Sequence, residues 1–161
     1  MVRILIAISV LLLGLCQTIY ADSNTFLKQL LNQKEAPEGV VFEIVTTDDR
    51  GLEWAIPRTR QYINQLHEKF PQLAIAVVTH GREMFALQKR NVYGSRDVHI
   101  QVQSLIQDEN VSLHACGTYA GWRGLTDKDF PAYVDVTASG PATINDYAAL
   151  GYVKIIVKQQ D

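Results

Sequence analysis

The stretch Val111-Ser112-Leu113-His114-Ala115-Cys116-Gly117-Thr118-Tyr119 contains a short apolar strand that runs directly into a cysteine and a glycine. Apolar and polar residues alternate before the cysteine, which is the two-residue period of a β-strand. The glycine interrupts this pattern, and the residues after it are suited to the first turn of a helix. The stretch therefore predicts a strand, a cysteine on a turn, and a helix start.

The predicted position of Cys116 suits sulfur chemistry. A thiol at a helix start faces unpaired backbone N–H groups and the positive end of the helix dipole, and both stabilise the nucleophilic thiolate. The alternative is that Cys116 is a small apolar side chain packed in the core, as free cysteines commonly are. Spacing alone leaves both interpretations open.

Apolar segments of strand length also occur at 40–45, 73–78, 133–136 and 152–157, separated by intervals that can hold helices. We expect Pro57 and Pro141 to stand in the first turns of two of these helices. Strands that alternate with helices imply right-handed crossovers and a parallel sheet. The sequence therefore predicts a three-layer α/β domain with a mainly parallel sheet of about five strands and helices on both faces. The continuous apolar run at 73–78 predicts the central strand.

Ligands of such domains bind outside the carboxyl ends of the strands. The turns after the predicted strands place His80, Cys116 with Gly117, and Ser139 at this edge. We therefore expect His80 to act as a base or donor near the thiol. Ser139 or Gly140 is expected to cap the helix opened by Pro141, whose start is a candidate anion site.

Three further residues near Cys116 are candidates for its pocket. His114 lies two residues before Cys116, so both side chains face the same side of a strand, although a satisfied, partly buried histidine is the commoner case. Trp122 and Arg123 follow closely enough to wall the pocket, and an arginine would stabilise a thiolate or a persulfide. The alternative is a buried tryptophan and a solvated arginine. No metal site or cofactor is predicted, because two histidine or cysteine ligands do not make a site.

Residues 1–21 have the pattern of a signal peptide, with a positive Arg3, an apolar run at 4–15 and a small residue, Ala21, at the expected cleavage point. The apolar run is too short to span a membrane, so no stable span is expected after cleavage. A lipoprotein at Cys16 is disfavoured because Leu15 precedes it. We therefore predict a periplasmic or secreted protein, with an N-terminal polar, partly helical extension at 22–38 and the α/β domain at 39–161.

Cysteine content and charge limit the possible functions. Loss of Cys16 with the signal peptide would leave Cys116 as the remaining thiol, so no intramolecular disulfide could form. Such a thiol in an exported protein is reactive, bridged to another chain, or buried. The formal net charge is −2 at pH 7, which does not favour nucleic acid as a partner.

The Cys116-Gly117 turn, the downstream Trp122-Arg123-Gly124-Leu125, and residues 134–141 resemble the DsrE/DsrF/TusD (DsrE-like) group of sulfur-metabolism proteins. The resemblance covers most of the chain from about residue 40 onward. It implies a small α/β domain that assembles into oligomers, often trimers or hexamers. It also implies a cysteine, here Cys116, that carries sulfur as a persulfide between donor and acceptor proteins.

The export signal departs from this group, because the well-known relay members are cytoplasmic. The leading hypothesis is therefore a periplasmic sulfur carrier with Cys116 as its persulfide-carrying thiol. The alternative is an oligomeric small-ligand-binding or scaffold module in which the cysteine is buried and chemically silent.

Overall fold

The computed structural model describes residues 23–159, so the predicted signal peptide and Cys16 lie outside the described residues. The strands are β1 (Gly39–Ile44), β2 (Ile75–Thr79), β3 (Ser112–Cys116), β4 (Asp135–Thr137) and β5 (Tyr152–Ile156). The α-helices are α1 (Ser23–Leu31), α2 (Gly51–Lys69), α3 (Arg96–Asp108), α4 (Gly117–Gly121) and α5 (Gly140–Ala149). Short 3₁₀-helices span Arg82–Leu87, Lys89–Asn91 and Asp127–Asp129. Within 23–159, no helix is both long and apolar enough to cross a membrane.

The five strands form one sheet in the order β4-β3-β2-β1-β5, and every pairing is parallel. The predicted α/β class, the parallel sheet and the strand number are confirmed. The run predicted as the central strand lies in the middle of the sheet as β2, and all its residues are buried. Because the strands are parallel, their carboxyl ends meet at one edge, where β1, β2 and β3 end at neighbouring registers.

The two faces of the sheet are covered unequally. Side chains of β1 alternate between them: Val40 and Phe42 join the larger core, to which α1, α2 and α3 contribute. Val41 instead belongs to a small cluster with Ile144 of α5. One face therefore packs under several helices, and the other packs mainly under α5. This alternation is the period-two pattern expected of a strand buried on both sides.

Helix α2 begins earlier than its sequence signals predict. Pro57 was expected at the first helical position, but the helix starts at Gly51 and contains Pro57 in its interior. An interior proline loses a backbone hydrogen bond and costs about 3 kcal/mol. The extra turns bury Leu52, Ala55 and Ile56 completely, and each large apolar side chain contributes about 1.5–3 kcal/mol. Burial therefore outweighs the local preference of proline for a helix start.

The buried carboxylate of Glu83 joins the loops that follow β1 and β2. Its Oε1 accepts hydrogen bonds from the Thr79 hydroxyl at 2.6 Å and the Gly81 N–H at 2.9 Å. Its Oε2 accepts a hydrogen bond from the Thr46 N–H at 2.8 Å. A Cβ at Gly81 would lie 2.3 Å from Glu83 Oε2, so glycine is needed for this close approach. A buried charge is tolerated only when it is well solvated by donors, and these three donors hold the two loops in one arrangement.

Glu83→Gln tests this arrangement without changing side-chain volume. An amide would place its NH₂ group against either the Thr46 N–H or the two donors at Oε1. We expect a loss of about 2 kcal/mol in the free energy of unfolding, measured by urea denaturation. The exposed Glu53→Gln is the matched control and should change it much less, because solvent screens the pair of Glu53 with Arg50. Equal effects of the two substitutions would contradict the role assigned to Glu83.

His99 on α3 is buried and joins the helix to two other segments. The Ala86 carbonyl accepts a hydrogen bond from Nε2–H at 3.0 Å, and Nδ1 accepts the Tyr133 hydroxyl proton. The neutral ring therefore satisfies both partners. Burial lowers the pKa of His99 below its ordinary value of 6.5.

This lowered pKa predicts an acid-sensitive stability. Below pH 6.5 the unfolded chain binds a proton at His99 that the folded chain resists, so the free energy of unfolding falls as pH falls. Urea denaturation between pH 7.5 and 5 should show this decrease, and His99→Gln should reduce the slope. A slope that is the same in the variant would assign the acid sensitivity to other groups.

Candidate functional site

A cavity of about 990 Å³ opens at the carboxyl edge of the sheet. Its walls come from the turns after β1 and β2, the residue that ends β3, the starts of α4 and α5, and the residues at the end of β5. This is the edge at which parallel α/β domains bind ligands. Of the predicted site residues, His80, Cys116, Trp122 and Ser139 line this cavity.

Cys116 is the last residue of β3 and the cap of α4, as the strand, cysteine and helix-start pattern predicts. Its side chain is 4% exposed and borders the cavity. The Tyr119 N–H donates a hydrogen bond to Sγ at 3.5 Å. The start of α4 therefore directs a backbone N–H at the sulfur atom, next to the cavity.

His80 is the neighbour of Cys116 on the adjacent strand. Thr79 of β2 pairs with Ala115 of β3, so the next residues of the two strands stand side by side. Neighbouring strands lie about 4.8 Å apart. A Cβ added to Gly140 would lie 2.6 Å from His80 Cβ and 3.3 Å from Cys116 Cβ. The imidazole and the thiol therefore lie side by side in the cavity wall. Helix α5 packs closely against both residues at Gly140.

Glu43 of β1 orients the imidazole of His80. One Glu43 oxygen lies 2.9 Å from His80 Nε2, and the other lies 3.0 Å from Lys154 Nζ. These contacts, the His80 hydrogen bond first, lower the pKa of Glu43 although burial opposes them. A carboxylate can only accept, so Nε2–H donates this hydrogen bond and Nδ1 is the ring nitrogen that lies outside it. The Glu43 carboxylate therefore orients the ring of His80, which borders the cavity next to Cys116.

The role of Glu43 was missed from the sequence, although a signal for it exists. It is the single charged residue within the apolar run at 40–45. A carboxylate in a buried strand needs a polar partner. The position of Glu43 therefore predicts a hydrogen bond or an ion pair near the end of the strand. Which residues supply that contact depends on the pairing of β1 with β2 and β5.

Trp122 lies at the rim of the cavity, and Ser139 lies at the start of α5. Trp122 is 77% exposed, and its ring meets the edge of Tyr119 at a centroid distance of 5.7 Å. Ser139 caps α5 by accepting a hydrogen bond from the Ala142 N–H at 3.5 Å. Pro141 follows in the first turn of α5, as predicted.

His114 and Gly117 lie outside the cavity wall. His114 Nδ1 is 2.7 Å from an Asp135 carboxylate oxygen, and Nε2 is 2.8 Å from the Tyr147 hydroxyl. These contacts occupy both ring nitrogens, so His114 links β3 to β4 and α5. Gly117 allows close packing, because a Cβ there would lie 2.7 Å from the Thr137 carbonyl oxygen.

Arg123 also lies away from the thiol, with its guanidinium 5.1 Å from the centre of the Phe85 ring. It follows Trp122 directly, and successive side chains in a helical turn point in different directions. The arginine of the cavity wall is instead Arg82, whose Nε and Nη2 donate to the Asp49 carboxylate at 2.9 and 2.7 Å. Arg82 lowers the pKa of Asp49 through this hydrogen-bonded pair.

Within residues 23–159, no group of three histidine, cysteine, aspartate or glutamate side chains is arranged to hold a metal ion.

Comparison with known proteins supports the fold. No protein-family model matches the chain, and no curated protein is significantly similar to it. MTH1491 of Methanobacterium thermoautotrophicum, a protein of unknown function, is 24% identical, with a TM-score of 0.58 over 73% of this chain and 96% of that one. BT1422 of Bacteroides thetaiotaomicron, also of unknown function, is 13% identical, with a TM-score of 0.51 over 73% of this chain and 94% of its own. The ychN protein from E. coli is 13% identical, with a TM-score of 0.49 over 74% of this chain and 97% of that one. Similarity at this level concerns the fold and leaves the activity to be argued from the site.

Gly140→Ala tests the contact between α5, His80 and Cys116. The added methyl group would overlap His80 Cβ, which cannot move without the backbone of β2. We expect a loss of about 1–3 kcal/mol in the free energy of unfolding and faster alkylation of Cys116 as α5 is displaced. Gly121→Ala is the matched control, because nothing lies within 4 Å of its Cβ position. Unchanged stability and alkylation in Gly140→Ala would contradict the close packing.

Proposed function

We propose that this protein is an exported sulfur carrier in which the Cys116 thiolate accepts sulfane sulfur and holds it as a persulfide. The observation that carries the proposal is the position of Cys116, which borders a large cavity beside His80 and accepts a backbone N–H hydrogen bond. The resemblance of its cysteine turn to the DsrE-like proteins supports the same role.

The transfer step needs no outside oxidant. His80 Nδ1 takes the thiol proton, and the Cys116 thiolate attacks the outer sulfur of a donor persulfide. A new S–S bond forms at Cys116 while the S–S bond of the donor breaks, and its electron pair leaves on the donor thiolate. The donor thiolate then takes up the proton, so atoms, electrons and charge balance. A second exchange in the same sense would pass the sulfur to an acceptor thiol.

Each neighbouring group has a part in this step. Glu43 holds the Nε2–H of His80 and stabilises the imidazolium that forms when Nδ1 takes the proton. Lys154 forms an ion pair with the other oxygen of the Glu43 carboxylate. The Tyr119 N–H supports the negative charge on sulfur before and after transfer. Export through the signal peptide at 1–21 and assembly into a homo-oligomer are further parts of the proposal.

Cys116→Ser tests the carrier role. Reduced protein incubated with a small-molecule persulfide should gain the mass of one sulfur atom, and a cyanide-labile sulfur should appear in a colorimetric assay. The serine variant should gain neither, because its hydroxyl is not ionised at neutral pH. Sulfur uptake by Cys116→Ser equal to that of the wild type would contradict the proposal.

Glu43→Gln tests the proton transfer separately. We expect sulfur uptake at pH 7 to slow by about tenfold or more, because the amide no longer stabilises the imidazolium. The defect should shrink at alkaline pH, where hydroxide can remove the thiol proton in place of His80. Glu53→Gln is the matched control and should behave as wild type. A defect that is equal at all pH values would indicate a structural effect.

A small-ligand-binding module is the second candidate, and the 4% exposure of Cys116 favours it. In that case the thiol is a packed side chain and the cavity performs the function. Alkylation of Cys116 only after denaturation, with intact ligand binding by Cys116→Ala, would support this alternative. Rapid alkylation of the native protein would support the carrier.

A further inference from the structure

The cavity around Cys116 is much larger than a sulfur atom requires. Resting on the function proposed above, we propose that the sulfur donor is a low-molecular-weight organic persulfide with a flat apolar body and an anionic group, bound inside this cavity. The inference rests on the size of the cavity, its aromatic wall, the sign of its charges and the burial of the thiol.

The volume of the cavity is that of a small-molecule site. The volume of about 990 Å³ lies at the upper end of the range of roughly 300–1,000 Å³ that is typical of small-molecule sites. Hydrogen sulfide or a single transferred sulfur atom would leave nearly all of this space empty. A carrier that met only protein donors would need a path to the thiol, but it would not need a cavity of this volume.

The wall of the cavity is suited to a flat apolar body. Trp54, Tyr119 and Trp122 contribute aromatic rings, and Val45 and Ile156 contribute aliphatic side chains. Tyr119 and Trp122 meet edge to face, which gives the rim a defined shape. Trp122 is 77% exposed, and Val45 and Ile156 are 47% and 38% exposed. Large apolar side chains exposed around one opening mark a binding site.

The charges of the wall favour an anion. Among the lining residues, Arg82 and Lys158 carry positive charge, and none carries a carboxylate. Arg82 is paired with Asp49, and the carboxylate of Glu43 is paired with His80 and Lys154. The wall itself therefore presents cationic side chains and no anionic one, which favours an anionic ligand.

Burial of the thiol favours a small donor over a protein donor. Cys116 is 4% exposed at the inner wall, whereas Trp122 stands at the rim. A cysteine side chain on a protein surface is short, so its persulfide reaches a buried thiol only from a protruding loop. A small organic persulfide can enter the cavity whole and bring its outer sulfur to Cys116.

Binding is tested first without sulfur chemistry. The probe is naphthalene-2-sulfonate, and its neutral isostere is naphthalene-2-sulfonamide, each titrated calorimetrically into wild type and Cys116→Ser at pH 7 and low salt. We expect the sulfonate to bind both proteins equally, and about fivefold more tightly than the sulfonamide, as one partly screened charge pair predicts. Equal affinity for the two probes, or no binding of either, would overturn the inference.

Two pairs of variants locate the binding. Trp122→Ala should weaken the sulfonate by about tenfold, while Tyr93→Ala, whose ring is 94% exposed outside the cavity, should not change it. Arg82→Gln should reduce the preference for the sulfonate, while Arg123→Gln should keep it. Binding that is indifferent to Trp122→Ala would place the probe elsewhere and overturn the inference.

Donor choice is tested second, by the rate of mass gain at Cys116. At equal persulfide concentration, 4-carboxybenzyl persulfide should label Cys116 at least about tenfold faster than a persulfidated rhodanese domain, as expected if a bound anchor holds the reacting sulfur in place. Faster labelling by the protein donor would overturn this inference and leave the carrier function standing. No labelling by either donor would overturn the carrier function and the donor assignment with it, while the probe titrations would still report the cavity.

Discussion

Parallel pairing of every strand is the constraint on which the site depends. It brings the ends of β1, β2 and β3 to one edge, so that Glu43, His80 and Cys116 become neighbours although they are far apart in the chain. In an antiparallel sheet the same residues would be divided between opposite edges. The cavity is therefore a consequence of topology before it is a consequence of any single side chain.

Two carboxylates at this edge have different tasks. Glu83 is buried against backbone and hydroxyl donors and fixes the loops after β1 and β2. Glu43 faces His80 and Lys154 and fixes the direction of an imidazole. Both side chains are costly to bury, and each is compensated by hydrogen bonds that also hold another group in place. The loops after β1 and β2 and the imidazole of His80 are thus held by separate networks.

The position of Cys116 combines burial with contact to the cavity. Burial limits the oxidation of a thiol by solvent species. The cavity borders the sulfur, and the start of α4 directs an N–H at it. Gly140 lets α5 pack over His80 and Cys116 without a side chain between them.

The sequence by itself determined the α/β class, the number of strands, the central strand and the turn that carries Cys116, because each depends on local periodicity or on glycine and proline signals. Tertiary structure decided which side chains meet that thiol. Glu43 became the partner of His80 through the pairing of β1 with β2, and Arg82, not Arg123, came to line the cavity. His114 contacts Asp135 and Tyr147, because local spacing does not predict partners from other strands and helices. The start of α2 was likewise decided by burial of Leu52 and Ile56, a tertiary gain that outweighs the local preference of Pro57.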